Sequence, residues 1–307
     1  MRATYALPTA LLLSLSLFAG MAAGQAGPRS ISSTERGASI SITAEREAAA
    51  ATVAGASKAP LTSKQMTLYE DGIEHPILSV SPDPSPSRIV LLVDNSRSLR
   101  FDVEKMAASL REFAYEIYEG DQLMIVGFDE KAEIIAEWTD DAKKIEASLK
   151  TLRKQGDPFL FDALRAVLDQ ALTPMAATTQ KRVIIIVSDG LDRGSRTKFS
   201  EILGDLQRQD ITLYAFQIPD RTGGALRRDQ PKPTQVIEQL TAGTGGRIVS
   251  SVKPTESAKS ICDELRNNRY LLSYTPTHLS YTDARRLLIV PDEGLIVRHK
   301  LMQQPIR

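Results

Sequence analysis

Two runs of five aliphatic residues, Ile89–Val93 and Val183–Val187, constrain the fold of this chain more than any other feature. A strand with one face in water alternates apolar and polar side chains, whereas a strand covered on both faces is apolar throughout. Strand and helix patterns alternate around these runs from Arg88 to Arg266. The sequence therefore predicts a doubly wound, mostly parallel, Rossmann-like α/β sheet with helices on both faces.

The remaining elements of this sheet follow from periodicity. Apolar runs or alternation predict strands, and apolar side chains at helical spacing predict helices. The predicted strands span residues 123–128, 133–137, 211–218 and 247–249, and the predicted helices span residues 103–117, 141–152, 160–172, 199–207, 234–240 and 255–266.

The segments on either side of the sheet have strand patterns of their own. An Asp-Gly turn at residues 71–72, between alternating apolar residues, predicts a β-hairpin. Three further strands are predicted at 270–274, 287–290 and 295–298, and we expect them to pair with the hairpin into a small β domain. The alternating stretch Ala38–Ile42 predicts a short edge strand.

Changes in composition divide the chain into segments. We assign residues 1–24 to a signal peptide, 25–60 to a poorly ordered linker, 61–80 and 267–307 to the two parts of the small β domain, and 88–266 to the α/β domain. A Pro- and Ser-rich run separates the first β part from the α/β domain.

The N-terminal segment has the layout of a secretory signal. Arg2 precedes the apolar run Ala10–Ala19, and small residues follow at positions 22–24. The run is shorter than the about 20 apolar residues that a spanning helix needs, so a retained membrane anchor is the weaker alternative. We therefore predict an exported protein, periplasmic or secreted, with no stable membrane span after cleavage.

Composition narrows the class of function. Lys plus Arg and Asp plus Glu both number 38, so the basic excess that nucleic-acid binding needs is missing. The single cysteine, Cys262, excludes an internal disulfide. Its place in a helical apolar stripe indicates a buried filler rather than a nucleophile.

Each aliphatic run ends in an acidic motif: Asp-x-Ser-x-Ser at residues 94–98 and Ser-Asp-Gly at residues 188–190. Ligands of open α/β sheets bind outside the carboxyl ends of the strands, so we expect both motifs at one edge. Carboxylate and hydroxyl oxygens suit a hard divalent cation, and serine adds no charge. The predicted metal ligands are Asp94, Ser96, Ser98 and Asp189.

These motifs resemble the metal-ion-dependent adhesion site (MIDAS) of the von Willebrand factor type A domains, in particular those of a group of exported bacterial proteins. The similar segments are Leu61–Ile77, Gly156–Leu164, Ile184–Asp192 and Arg269–Thr277. The resemblance implies the fold of that family and a site for Mg²⁺, with Mn²⁺ or Ca²⁺ as alternatives. It also implies a protein partner that is engaged through an acidic side chain.

The third site loop departs from the family's pattern. The family presents a threonine hydroxyl to the metal here, whereas this chain has Pro158, which has no side-chain donor atom. Two outcomes stay open. Either the metal binds weakly or not at all, or Asp157 supplies a substitute oxygen.

We therefore predict an exported, non-enzymatic binding protein. Gly-x-Gly-x-x-Gly, P-loop and Gly-x-Ser-x-Gly motifs are missing from the sequence. One alternative is a metal-independent structural protein of the envelope or matrix. A less favoured alternative is a metal-assisted hydrolase that uses Asp157 or Asp192 as its base.

Several simpler interpretations accompany this prediction. Asp94 and its two serines are also suited to capping the helix that follows. We expect the carboxylates of Asp121, Asp129 and Asp192, and the histidines at 75, 278 and 299, to lie at the surface. The loop from Pro219 to Pro233 carries three arginines that we do not assign to the site.

Overall fold

The computed structural model describes residues 37–47, 60–99, 102–175, 180–218, 230–276 and 282–305. Its strands are β1 (Ala38–Arg46), β2 (Met66–Glu70), β3 (Ile73–His75), β4 (Ile77–Pro82), β5 (Ser87–Asp94), β6 (Gln122–Phe128), β7 (Ala132–Thr139), β8 (Lys181–Ser188), β9 (Thr212–Gln217), β10 (Ile248–Val249), β11 (Arg269–Tyr274), β12 (Arg285–Pro291), β13 (Leu295–His299) and β14 (Met302–Gln303). Its helices are α1 (Val103–Glu116), α2 (Ala142–Leu149), α3 (Leu160–Val167), α4 (Phe199–Arg208), α5 (Pro233–Gly243) and α6 (Pro254–Asn267).

The central sheet has the strand order β10-β9-β8-β5-β6-β7. β7 runs antiparallel to β6, and the other neighbours are parallel. The two aliphatic runs form the middle strands β5 and β8, and every residue of β8 is buried. The predicted doubly wound, mostly parallel sheet is therefore confirmed, with one antiparallel strand at its edge.

Three of the described helices cover each face of this sheet. The core on one face takes apolar side chains from α1, α2 and α6, and the core on the other face takes them from α3, α4 and α5. Cys262 lies in the first core and is 1% exposed, and burial raises the pKa of its thiol. The cysteine is the apolar filler that the sequence predicts.

Within the described part of the chain, no helix is both long and apolar enough to cross a membrane. The predicted signal peptide at residues 1–24 lies outside the described residues.

The segments that flank the α/β part form two four-stranded sheets, ordered β13-β1-β11-β4 and β14-β12-β2-β3. The predicted hairpin is β2 and β3, and its turn residues Asp71 and Gly72 have φ of 51° and 82°. Positive φ at both central positions is the geometry that Asp-Gly favours. The two sheets share one apolar core, whose fully buried members include Ile40, Ile42, Leu68, Leu272 and Tyr274.

Strand β1 corrects two sequence-based expectations. Ala38–Arg46 lies between β11 and β13, so it is an interior strand rather than a short edge strand. It also lies within the segment assigned to a linker, where it supplies Ile40 and Ile42 to the core of the β part. The serines that alternate with these isoleucines misled the prediction, because local alternation does not reveal how many neighbours a strand has.

The histidines correct a third expectation. His75 and His299 are 6% and 7% exposed rather than at the surface, and His278 lies outside the described residues. His299 Nε2 accepts a hydrogen bond from the backbone N–H of Ile289 at 3.1 Å, and burial lowers the pKa of the ring. His299 is therefore a neutral, hydrogen-bonded core residue.

A buried carboxylate joins the β part to the α/β part. Glu264 in α6 is 1% exposed and lies 2.8 Å from Arg298 of β13 and 2.8 Å from Arg247. The Tyr214 hydroxyl of β9 donates to it at 2.6 Å. Burial alone raises the pKa of Glu264, but the charge of Arg298, the Tyr214 hydrogen bond and Arg247 outweigh it and lower the pKa.

Glu264→Gln should destabilise the protein by about 2 kcal/mol, because it removes the buried carboxylate that Arg247 and Arg298 share. Among the described residues, Arg298 then keeps only its contact with Glu45. Urea denaturation at neutral pH measures the loss. Glu256→Gln is the matched control on the same helix, since Glu256 is 71% exposed and pairs only with Lys253 at the surface. Its expected effect is within about 0.5 kcal/mol. Equal losses in the two variants would contradict the structural role of Glu264.

Candidate functional site

The two acidic motifs lie side by side at the carboxyl edge of the central sheet. β5 and β8 are parallel neighbours, and Val93 pairs with Val187, so both loops leave the sheet at the same level. The Ser188 hydroxyl donates to Asp94 Oδ2 at 2.8 Å. Strand pairing thus brings together two motifs that are far apart in the sequence.

The first loop folds back on the carboxylate of Asp94. Asp94 Oδ1 accepts the backbone N–H of Ser96 at 2.9 Å, and the hydroxyl oxygens of Ser96 and Ser98 lie 3.1 Å apart. Asp94 and Ser96 are both 0% exposed. The cap of the following helix α1 is Asp102, so the interpretation of Asp94 and the serines as its cap is wrong.

The second loop holds the other carboxylate. Asp189 is 5% exposed, and its Oδ1 accepts the backbone N–H of Leu191 at 2.9 Å. Gly190 has φ of +85° and donates its N–H to the Ser188 hydroxyl at 3.0 Å. The left-handed turn at Gly190 therefore fixes the loop that carries Asp189.

Burial and mutual repulsion disfavour the ionised form of the two carboxylates at this edge. Burial is the main cause that raises the pKa of Asp94 from 3.8 to about 6, and the negative charge of Asp189 raises it further. Hydrogen bonds from Ser96 and Ser188 offset part of this effect. Among the described residues, no Lys, Arg or His nitrogen forms an ion pair with Asp94. A cation at this edge would relieve both the burial cost and the repulsion.

The third loop lies against the first but offers no side-chain oxygen from its proline. The backbone N–H of Arg97 donates to the carbonyl of Gly156 at 3.2 Å. The carbonyl of Pro158 accepts the backbone N–H of Arg193 at 2.8 Å. Asp157 is 52% exposed, and its carboxylate lies 3.3 Å from Arg193 Nη1. Asp157 is thus near the edge, but an arginine engages its carboxylate.

Two of the carboxylates expected at the surface are buried instead. Asp192 is 2% exposed and accepts the backbone N–H of Phe161 at the start of α3. Asp121 is 5% exposed and accepts the backbone N–H of Ser87 at 2.6 Å. Both residues hold backbone donors in place, which explains their burial. Asp129 is half-buried.

Sequence reasoning missed two polar residues beside the site. Asn95 is 9% exposed, and its side-chain amide covers Gly127, where a Cβ would lie 2.3 Å from Asn95 Nδ2. The Lys154 ammonium donates to the carbonyl of Leu99, and its charge interacts with that of Asp94. A lysine distant in the sequence gives no spacing signal, so only the fold reveals it.

The donor set fits a metal only if the serines take part. In the described ranges, no three or more His, Cys, Asp or Glu side chains gather as a metal site. The two buried carboxylates and the two adjacent serine hydroxyls are the oxygens available. Neutral hydroxyl oxygens are acceptable ligands for hard cations such as Mg²⁺. The three arginines of the loop at 219–229 lie outside the described residues.

Comparison with known proteins identifies the domain. Residues 89–191 match the family model of the von Willebrand factor type A domain. No curated protein matches the chain. The chain therefore carries a von Willebrand factor type A domain, which agrees with its fold and with its paired motifs. Domains of this family generally mediate protein–protein interactions.

Solved structures similar to this chain come from bacteria and from an animal. An aerotolerance-related membrane protein from Bacteroides fragilis is 15% identical, with 58% of this chain and 98% of that chain covered and a TM-score of 0.43. BatB from Bacteroides thetaiotaomicron is 15% identical, with 58% and 97% covered and a TM-score of 0.45. Proximal thread matrix protein 1 from the mussel byssus, with a zinc-occupied MIDAS motif, is 12% identical, with 63% and 48% covered and a TM-score of 0.46.

Proposed function

We propose that this chain is an exported, non-enzymatic binding protein that engages a protein partner through a divalent cation at the carboxyl edge of its central sheet. Asp94, Ser96, Ser98 and Asp189 would hold the ion, with Mg²⁺ favoured over Mn²⁺ and Ca²⁺. Such an ion would offer positive charge to a carboxylate of the partner.

The observation that carries this proposal is the pairing of two buried carboxylates with two serine hydroxyls at adjacent strand ends. Burying two carboxylates close together is costly unless a cation accompanies them. The serines add oxygens without adding charge, so an ion held here keeps part of its positive charge. That residual charge is what would attract an acidic side chain.

The third loop keeps a second candidate function open, a structural envelope or matrix protein that binds its partner without metal. Pro158 removes the usual hydroxyl, and Asp157 is engaged by Arg193. The hydrolase alternative gains no support, because Asp192 accepts a backbone N–H of α3 and Asp157 is ion-paired. The signal-like N-terminus supports export.

Titrating chelator-treated protein with Mg²⁺ and Mn²⁺ in a calorimeter tests the metal site. We expect saturable binding of one ion per chain at millimolar concentration or below. Asp157→Asn separates the two models of the third loop. It should weaken binding by about tenfold or more if Asp157 is a ligand, and leave it nearly unchanged if Asp157 stays with Arg193.

Asp129→Asn at the same edge is the matched control for the loss of one negative charge. Capture of partners from the source organism, with Mg²⁺ or with chelator, tests the function itself. Retention that chelator abolishes supports the proposal. Retention that chelator leaves unchanged, together with no heat of metal binding, would favour the metal-independent alternative.

A further inference from the structure

A polar cavity lies at the edge of the central sheet opposite the candidate site, where the strands begin. Its volume is about 400 Å³, and its wall combines the start of β8 and the segment before β9 with strands β1 and β11. Lys181 at this cavity and Asp189 at the metal edge are eight residues apart along β8, or roughly 26 Å at 3.3 Å per residue. The cavity is therefore separate from the proposed binding edge.

Buried cations outnumber carboxylates in this wall. Four basic side chains, each less than a tenth exposed, face two carboxylates, which leaves an excess of two positive charges. The basic residues are Lys181, Arg182, Arg269 and Lys300, and the acidic residues are Asp83 and Asp210. Arg208 also lines the cavity, but it is paired with Asp205.

Backbone carbonyls accept the hydrogen bonds of two of these cations. The Lys181 ammonium donates to the carbonyls of Asp83, at 3.0 Å, and of Ser85, and its nearest carboxylate oxygen is 4.0 Å away. The Arg182 guanidinium donates to the carbonyls of Leu172 and Gln209. Burial lowers the pKa of both side chains and outweighs the opposing charges of nearby carboxylates, which are Asp83 and Asp121 for Lys181 and Asp210 for Arg182.

The other two cations differ in their partners. Lys300 lies 3.4 Å from Asp210 and has a counter-charge. Arg269 Nη1 donates to the Thr43 hydroxyl at 3.1 Å, and its buried Nε has no hydrogen-bond partner among the described residues. Arg269 thus presents a guanidinium, 5% exposed, that donates to a neutral hydroxyl and shares the charge of Asp210 with Lys300.

The uncharged part of the wall indicates which chemical groups a ligand would carry besides its charge. Its described residues include serines and glutamines but no aromatic side chain on which a base would stack. The side-chain oxygen of Gln303 is buried without a partner among the described residues. Hydroxyl and amide groups of this kind suit a small hydroxylated molecule.

We propose that this cavity binds a phosphate dianion, either free or carried by a small hydroxylated ester. Two negative charges match the excess of two positive charges. Arginine and lysine together are the side chains that proteins use for phosphate, since a guanidinium offers paired donors and an ammonium a point charge.

Calorimetric titration with inorganic phosphate and with glycerol phosphate, at constant ionic strength, tests this proposal. We expect saturable binding of one anion per chain. Arg269→Gln and Gln303→Glu should each weaken it by about tenfold or more, the first by removing a donor and the second by supplying the missing negative charge. Arg111→Gln, at an arginine that is 49% exposed and distant from the cavity, should leave binding unchanged.

If Arg269→Gln fails to fold, Gln303→Glu tests the proposal by itself, because glutamate has the same shape as glutamine. It should also raise the melting temperature in phosphate-free buffer. Tighter binding of the ester than of phosphate would identify a phosphorylated small molecule, and equal binding would identify free phosphate. No saturable heat at about 10 mM phosphate, or equal weakening by Arg111→Gln, would overturn the proposal.

Discussion

Asp94→Asn should stabilise the metal-free protein at neutral pH and abolish its binding of Mg²⁺. The folded-state pKa of Asp94 is about 6, above its ordinary value of 3.8, so the fold favours the protonated carboxyl. The stability that this proton contributes is present at low pH and is lost as the pH rises from about 4 to 6. At neutral pH the ionised carboxylate costs about 3 kcal/mol, which asparagine avoids.

Thermal unfolding in chelator across pH 4 to 8 measures this effect. The wild-type protein should lose stability over the acidic range, and the variant should lose less. At Asp94 one of the donors is the Ser188 hydroxyl, which can turn to accept from an asparagine amide. Asp121→Asn is the matched control, because Asp121 is also buried but accepts a backbone N–H on each of its oxygens, from Ser87 and Tyr118. Asparagine has one acceptor oxygen and should destabilise there. A lower melting temperature for Asp94→Asn without metal would contradict this account of the site.

Gly190→Ala should destabilise the protein by about 3 kcal/mol or more. Its φ of +85° disfavours any side chain. A Cβ would also lie 2.3 Å from the backbone oxygen of Pro233 and 2.8 Å from Ile237 Cγ1. Because the first of these contacts is with backbone at the start of α5, relief requires the helix or the loop of Asp189 to shift. Urea denaturation measures the loss.

Gly72→Ala separates the cost of the left-handed backbone from the cost of the close contact. Gly72 has φ of +82°, and a Cβ there meets nothing within 4 Å. Only the cost of the left-handed backbone remains, about 1–2 kcal/mol. The difference between the two variants measures the close approach of α5 to the site loop. Equal losses of unfolding free energy in the two variants would show that the contact with Pro233 relaxes at little cost.

Local sequence pattern was sufficient for the α/β part and for placing the two acidic motifs at one edge of the sheet. The aliphatic runs of β5 and β8 indicate strands that are buried on both faces. Because neighbouring parallel strands end at the same edge of a sheet, Asp94 and Asp189 lie at one edge. The Asp-Gly hairpin is likewise a local signal, because its turn needs positive φ at both positions.

Features that depend on distant partners could not be predicted in this way. The interior place of β1 depends on strands more than 200 residues later in the chain. Asp192 looks like a loop carboxylate until Phe161 presents a backbone N–H to it. His299 looks like a surface histidine until Ile289 donates to its ring. In each case the partner, rather than the residue's own neighbourhood, determines its burial.

The interior place of β1 has a consequence for how the chain reaches its native state. Ile42 pairs with Tyr270 on one side and with His299 on the other. During synthesis the strand therefore emerges long before either neighbour exists, and the whole α/β part is made in between. Strands this far apart in the sequence pair slowly, because closing the long loop costs entropy before any stabilising contact forms. The strand must thus stay unpaired until β11 and β13 have been made, which exposes it to aggregation or to a chaperone.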